Sequence, residues 1–333
     1  MSVIQARKLT KVFRSYKKKS GFRGAIRGLF HREYEEVRAA SSVNFGIEEG
    51  ELVGFLGPNG AGKTTVLKML SGLLYPTSGE AEVLGFVPWE RKNDYRRQFA
   101  LVMGQKNQLW WDLPARESFE LNREIYSIDR ALFERRLDEL TALLDVKEKL
   151  SVMVRELSLG ERLKMELIAA LLHGPRVLFL DEPTIGLDVV SQKKVREFIR
   201  QYNRQEKVTV ILTSHYMVDI EELCERVIII DHGRIFFDGK LSEIVNRFAT
   251  HKIVRLRCSG PLNPGEMASG VTIMSQEDGT LQLRVPRTQV APICRDLFAR
   301  HPIEDIAIEE VPIEDIVREI FSKQGDYKER GEL

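Results

Sequence analysis

The chain has 333 residues, 43% hydrophobic and 30% charged, with Lys+Arg 50 against Asp+Glu 49. That length favours two domains with ample core, and a net charge of +1 gives no bulk field to hold nucleic acid or an anionic membrane surface. No apolar run approaches the roughly 20 residues of a membrane-spanning helix, and the N-terminal MSVIQARKLTKVF lacks a signal peptide's apolar core. Cys224, Cys258 and Cys294 are far apart, form no ligand pattern, and read as reduced thiols of a cytoplasmic protein.

Residues 2–13 predict an edge-type strand. Residues 14–38 interrupt it with eight basic and three acidic side chains. Ile26, Leu29, Phe30, Tyr34 and Val37 are spaced to share a helical face, with Arg23, Arg27 and Arg32 largely off it. Such a basic amphipathic insert either lies on an anionic membrane surface or a membrane partner, or packs its stripe on its own domain. Strand character returns over 39–49, and Glu49-Gly50 turns into the apolar run Leu52–Leu56.

The next residues read GPNGAGKTT: Gly57, Pro58, Asn59, Gly60, Ala61, Gly62, Lys63, Thr64 and Thr65. Val66, Leu67, Met69, Leu70 and Leu73 follow at helical spacing. Strand, Gly-rich loop and helix together form a phosphate-binding loop. Its glycines let successive N–H groups turn inward on the α- and β-phosphates, and the helix N-terminus adds partial positive charge. Lys63 would reach the β/γ oxygens and the Thr64 hydroxyl would hold Mg²⁺. This is a nucleoside triphosphate site.

Short strands are expected at 80–84 and 99–103, then helical structure from Gln105 to about Leu157. Leu157–Arg162 reads LSLGER, ahead of the helical run 163–172. Ser158 and Glu161 fit an N-capping box, and the same helix start, with Gly160, can serve as an anion site for a γ-phosphate. Val177–Glu182 reads VLFLDE. Asp181 suits Mg²⁺ and Glu182 suits the attacking water, two jobs that adjacent residues can share only where a strand ends and turns. Strands at 208–213, 227–230 and 234–237 and a closing helix at 241–248 complete the first domain. Strands at 253–257 and 281–285 with helices at 288–300 and 313–322 predict a small α+β module over 251–322, and 323–333 reads as a disordered tail.

GPNGAGKTT, Gln105, LSLGER, VLFLDE, GLD at 186–188 and His215, in that order, resemble the ATP-binding subunit of an ABC transporter, most like the ATPases of ABC-2-type exporters. The resemblance covers about residues 3–248. It implies an α/β P-loop fold with a mixed sheet core, a helical subdomain at about 105–165, and a domain spanning 1–248. It also implies a head-to-tail dimer. Each ATP would lie between Lys63, Asp181 and Glu182 of one protomer and Ser158 and Gly160 of the other, with Asp188 at the seam. His215 would reach the γ-phosphate. Gln105 would sense Mg²⁺ or the water and relay nucleotide state to Lys106–Arg116, where a membrane permease would dock; Trp110, Trp111 and Leu113 lie there as interface or core. Phe13 matches the position whose ring stacks on adenine, with Tyr16 as competitor and plain strand core as the alternative. The usual signature is LSGGQ, and here Leu159 and Glu161 replace a Gly and the Gln.

The implied reaction is Mg²⁺-dependent ATP hydrolysis that drives export through a separate integral membrane permease, at the cytoplasmic face of the membrane. The insert at 14–38 is also similar to that of polysaccharide or lipid-linked glycan exporter ATPases, which keeps such cargo open. A soluble ABC ATPase acting on ribosomes or DNA usually holds two nucleotide domains or a long coiled-coil insert. This sequence has one set of motifs and no heptad run, so no nucleic-acid partner is expected.

Overall fold

The structure, a computed structural model, describes residues 2–16, 34–104, 106–214, 216–258, 270–277, 279–300 and 302–329. The apolar runs LVGFL, VLFLD and TVILT become β3 (Leu52–Leu56), β6 (Val177–Asp181) and β7 (Thr209–Thr213). They are buried along nearly their whole length, as parallel strands covered on both faces must be. With β5 (Phe99–Met103), β8 (Arg226–Asp231) and β9 (Arg234–Lys240) they form a six-stranded sheet ordered β5-β6-β7-β3-β8-β9. All pairs from β5 to β8 are parallel. A three-stranded antiparallel sheet, ordered β2-β1-β4, comes from β1 (Ser2–Tyr16), β2 (Tyr34–Glu48) and β4 (Ser78–Val83).

Helix α1 (Lys63–Leu70) lies between these layers and fastens them together. Its Val66, Leu67, Met69 and Leu70 join Ile4 and Ile47 of the antiparallel sheet and Val53, Phe55, Phe179 and Ile211 of the parallel one in a single buried cluster. The short α2 (Asn93–Arg96) precedes β5, and the helical region follows as α3 (Ala115–Tyr126), α4 (Arg130–Leu144) and α5 (Leu159–Leu171). Asp129 caps α4 by accepting from the N–H groups of Ala131 and Leu132, and Phe133, Leu137, Leu140 and Leu144 bury one face at helical spacing. Helices α6 (Val189–Glu206) and α7 (Met217–Leu223) flank β7. The sequence reading left α6 out, although Val195, Phe198, Ile199 and Tyr202 bury one face at helical spacing.

The insert is shorter than the charge run suggests. β1 and β2 stay paired through Phe13↔Val37 and Tyr16↔Tyr34, so 14–16 and 34–38 are strand. Tyr34 and Val37 therefore do not belong to an amphipathic helix, because cross-strand hydrogen bonding extends the hairpin past the residues where apolar alternation stops. Ile26, Leu29 and Phe30, with Arg23, Arg27 and Arg32, lie outside the described residues.

The chain divides into two compact units, Met1–Gly239 and Lys240–Leu333. The sequence reading ended the first domain at 248; the structure instead assigns α8 (Leu241–Phe248) to the second unit. There β10 (His251–Cys258), β11 (Thr272–Glu277), β12 (Thr280–Pro286) and β13 (Ile303–Glu310) form an antiparallel sheet ordered β11-β12-β10-β13. Val254, Leu256, Leu281, Leu283 and Val285 cover one face and pack on Ile293, Cys294 and Leu297 of α9 (Val290–Arg300). Helix α10 runs Ile313–Glu329, so the tail expected to be disordered continues a helix through Glu329. Cys224 and Cys294 are free buried thiols.

Candidate active site

Parallel register lines up the carboxyl ends of four strands. Met103 stands opposite Asp181, Asp181 opposite Thr213, and Thr213 opposite Phe55. The loops leaving those ends begin at Gly104, Glu182, Ser214 and Gly57, in that order along the sheet edge. Open α/β sheets bind ligands at such a row of strand ends.

The phosphate loop depends on two close approaches. A Cβ on Gly57 would fall 2.3 Å from the Ile230 carbonyl oxygen, and one on Gly62, where φ is +109°, only 2.0 Å from that of Ala39. At Gly60 φ is +83° with nothing within 4 Å. The loop is also tied to the β8–β9 turn, since the Gly233 N–H donates to the Ala61 carbonyl at 2.9 Å. Alanine at Gly62 should therefore destabilise most, combining clash and left-handed strain, and Gly60→Ala least, at about 1 kcal/mol. Denaturant midpoints that fail to follow that order would show the two approaches to be relaxed in solution.

Lys63 is 5% exposed, and its ammonium donates to the carbonyls of Gly57 at 2.6 Å and Pro58 at 3.2 Å. Burial pulls its pKa below the ordinary lysine value, against the nearby carboxylates of Glu182 and Asp181, which hold it up. The next residue, Thr64, donates its hydroxyl to the Asp181 carboxylate, 2.8 Å from Oδ2 and 3.1 Å from Oδ1. Thr213 donates to Oδ1 from the other side at 2.7 Å. The helix start and the ends of β6 and β7 thus meet on one carboxylate.

Glu182 turns the chain out of β6 with φ at +52°, a left-handed conformation uncommon for a residue with a side chain. Its N–H donates at 3.0 Å to both the carbonyl and the hydroxyl oxygen of Thr213. The turn is made at Glu182 itself. Gly104 makes room for it: a Cβ there would lie 2.2 Å from the Glu182 carbonyl oxygen. Sequence reasoning missed Thr213 and Gly104; their signals were a hydroxyl ending the strand run VTVILT and a Gly directly after FALVM.

The remaining candidates sit as follows. Ser158 is the exposed N-cap of α5 in a complete capping box, its N–H donating to Glu161 Oε2 at 2.9 Å and its Oγ accepting from the Glu161 N–H at 3.2 Å. The Ser158 N–H and Lys149 hold the Glu161 carboxyl below its usual range. Gly160 lies against α6, where a Cβ would come within 2.9 Å of Ser191 Oγ. Asp188 caps α6, accepting from the Ser191 N–H at 2.9 Å and hydroxyl at 2.6 Å, and these bonds lower its pKa. Phe13 is 41% exposed beneath the Lys11 ammonium, so it is a surface aromatic and not strand core. Trp110 and Trp111 are 59% and 43% exposed, with the Arg162 guanidinium over the Trp111 ring. Gln105, His215 and the Tyr16 side chain lie outside the described residues.

The profile of the ABC transporter family matches residues 40–185, and that of the EvrA-like ABC transporter C-terminal domain matches 250–309. The ABC transporter ATP-binding protein NatA of Bacillus subtilis is 33% identical over 234 residues, spanning 68% of this chain and 95% of NatA. The chain belongs to the ABC transporter ATP-binding proteins. Another member, the bacitracin transport ATP-binding protein BcrA of Bacillus licheniformis, is 33% identical over 63% of this chain and 65% of BcrA. A solved ATP-binding subunit of an ABC transporter superposes with a TM-score of 0.61 at 26% identity, covering 74% of this chain and 93% of that one. The six-stranded sheet, the antiparallel sheet and the helical region are accordingly those of the P-loop ABC fold. Among the described residues, no helix is long and apolar enough to cross a membrane.

Proposed function

We propose that this ABC transporter subunit is a Mg²⁺-dependent ATPase that powers export, paired with a second nucleotide domain and docked beneath a separate integral membrane permease at the cytoplasmic face. The observation that carries this is the Thr64 hydroxyl on the Asp181 carboxylate, beside the buried Lys63 ammonium. Hydroxyl and carboxylate oxygens are the hard donors that Mg²⁺ takes, with its other positions left to water and phosphate oxygens. Thr64 and Asp181 would hold the ion, with Gln105 at its edge, and the ion would neutralise charge on the β/γ-phosphate oxygens.

Lys63 would exchange its two carbonyls for phosphate oxygens. Glu182, aimed by its left-handed backbone, would orient water and accept its proton. Ser158 and Gly160 of the second copy would close the site, Asp188 would line the seam, His215 would reach the γ-phosphate, and Phe13 would stack on adenine. The exposed Trp110 and Trp111 are the surface assigned to the permease. That BcrA is described as a bacitracin transport ATP-binding protein supports transport as the work that hydrolysis powers. The second unit, Lys240–Leu333, would serve as an accessory module.

Purified protein should release phosphate from ATP with Mg²⁺ and stop when the ion is chelated. Lys63→Ala should weaken ATP binding by about tenfold or more in titration calorimetry. A polytopic membrane protein should copurify from detergent-solubilised membranes. Turnover indifferent to chelation, or unchanged affinity in Lys63→Ala, would remove the assignment.

A further inference from the structure

A second carboxylate, outside the phosphate site, ties two of the site's loops together. Asp219, on α7, is 0% exposed. Its Oδ1 accepts from the Arg196 guanidinium of α6 at 2.9 Å. Its Oδ2 accepts from the Ser214 hydroxyl at 2.8 Å and from the Thr184 hydroxyl. Thr184 and Ser214 are each 1% exposed, and Arg196 is 5% exposed.

Those donors lie where the chemistry is expected. Thr184 is two residues beyond Glu182, inside a turn closed by the Ile185 N–H on the Glu182 carbonyl and the Leu187 N–H on the Thr184 carbonyl. Ser214 directly follows Thr213, whose hydroxyl bridges Asp181 and the Glu182 N–H. The Ser214 oxygen also accepts from the Tyr216 N–H at 3.0 Å, which ties Ser214 to Tyr216. A hydroxyl has one proton to donate, and both Thr184 and Ser214 spend theirs on Asp219. A carboxylate offers acceptors to both hydroxyls and to Arg196 at once, whereas an amide would turn a donor toward at least one of them.

We propose that Asp219 is a positioning residue for ATP hydrolysis: it holds the turn carrying Glu182 and the loop that leaves β7 at Ser214 in a fixed mutual register. Arg196 balances its charge and anchors it to α6, the helix that Asp188 caps. The residue touches no nucleotide. It acts through Thr184 and Ser214, so its loss should misplace the groups that act on the attacking water and spare those that hold the phosphates.

The inference rests on the hydrolytic reading above, and the test separates the two. Full-length wild type, Asp219→Asn, Thr184→Val, Ser214→Ala and the two double variants with Asp219→Asn are compared. The readouts are kcat, KM, ATP affinity in Mg²⁺ and thermal unfolding. Thr184→Val and Ser214→Ala keep the Arg196–Asp219 pair, so they report even if Asp219→Asn does not fold. Expected is a fall in kcat of about 10- to 100-fold with ATP affinity unchanged. The doubles should be no slower than Asp219→Asn alone, because the three groups act as one unit. If Thr184→Val and Ser214→Ala turn over at the wild-type rate per folded molecule, or if affinity falls in step with kcat and melting temperature, the network is structural only. No turnover by wild type would instead remove the hydrolytic reading, and this proposal with it.

Discussion

Replacing Glu182 with Gln is expected to lower steady-state hydrolysis by about 10²- to 10⁴-fold while ATP still binds. The amide keeps the shape of the carboxylate and loses its basicity. The backbone that aims the side chain is independent of that change: φ is set by the exit from β6, by the N–H bonds to Thr213 and by the space that Gly104 leaves. Phosphate contacts made by Lys63 and the loop should therefore survive. Pairs of protomers should accumulate with ATP bound, seen as a persistent dimer in size-exclusion chromatography with Mg²⁺-ATP. Turnover near the wild-type rate would take the base role away from Glu182.

Ser158→Arg should abolish hydrolysis without unfolding the chain. The capping box would be lost, at a cost of about 1 kcal/mol, which a buried α5 can absorb. The functional loss would come from a bulky cation where a second protomer's γ-phosphate should rest. Mixing with Lys63→Ala makes the test specific. In the mixed dimer one composite site carries both lesions and the other carries none. Partial activity should return once protomers exchange. Proven exchange with no recovery would mean that the site is not shared or that both sites must fire.

The sequence told most where local chemistry decides structure. GPNGAGKTT between an apolar strand and a helix, the S-x-x-E cap at Ser158 and the run VLFLDE all took the expected form. It told least where partners distant in the chain decide. Tyr34–Arg38 carries a charge-rich sequence but is strand because β1 lies beside it. β11 and β13 went unread because each is an outer strand of the second sheet, with exposed polar residues along much of its length. Thr213 and Asp219 are unremarkable as letters. Their importance appears only when β6, β7 and α6 are side by side and the hydroxyls and carboxylates converge.

Lys63 arrives at its task already engaged, its ammonium shared between the carbonyls of Gly57 and Pro58. On the proposed reading, nucleotide binding at this loop would be a trade of acceptors, in which two neutral oxygens give way to charged ones. The heat released should reflect the difference between the two sets and not the full strength of the new contacts. Discrimination follows from the same trade. A neutral ligand of similar shape offers the ammonium nothing that its own loop does not, whereas a polyphosphate offers negative charge in a place where burial makes charge count.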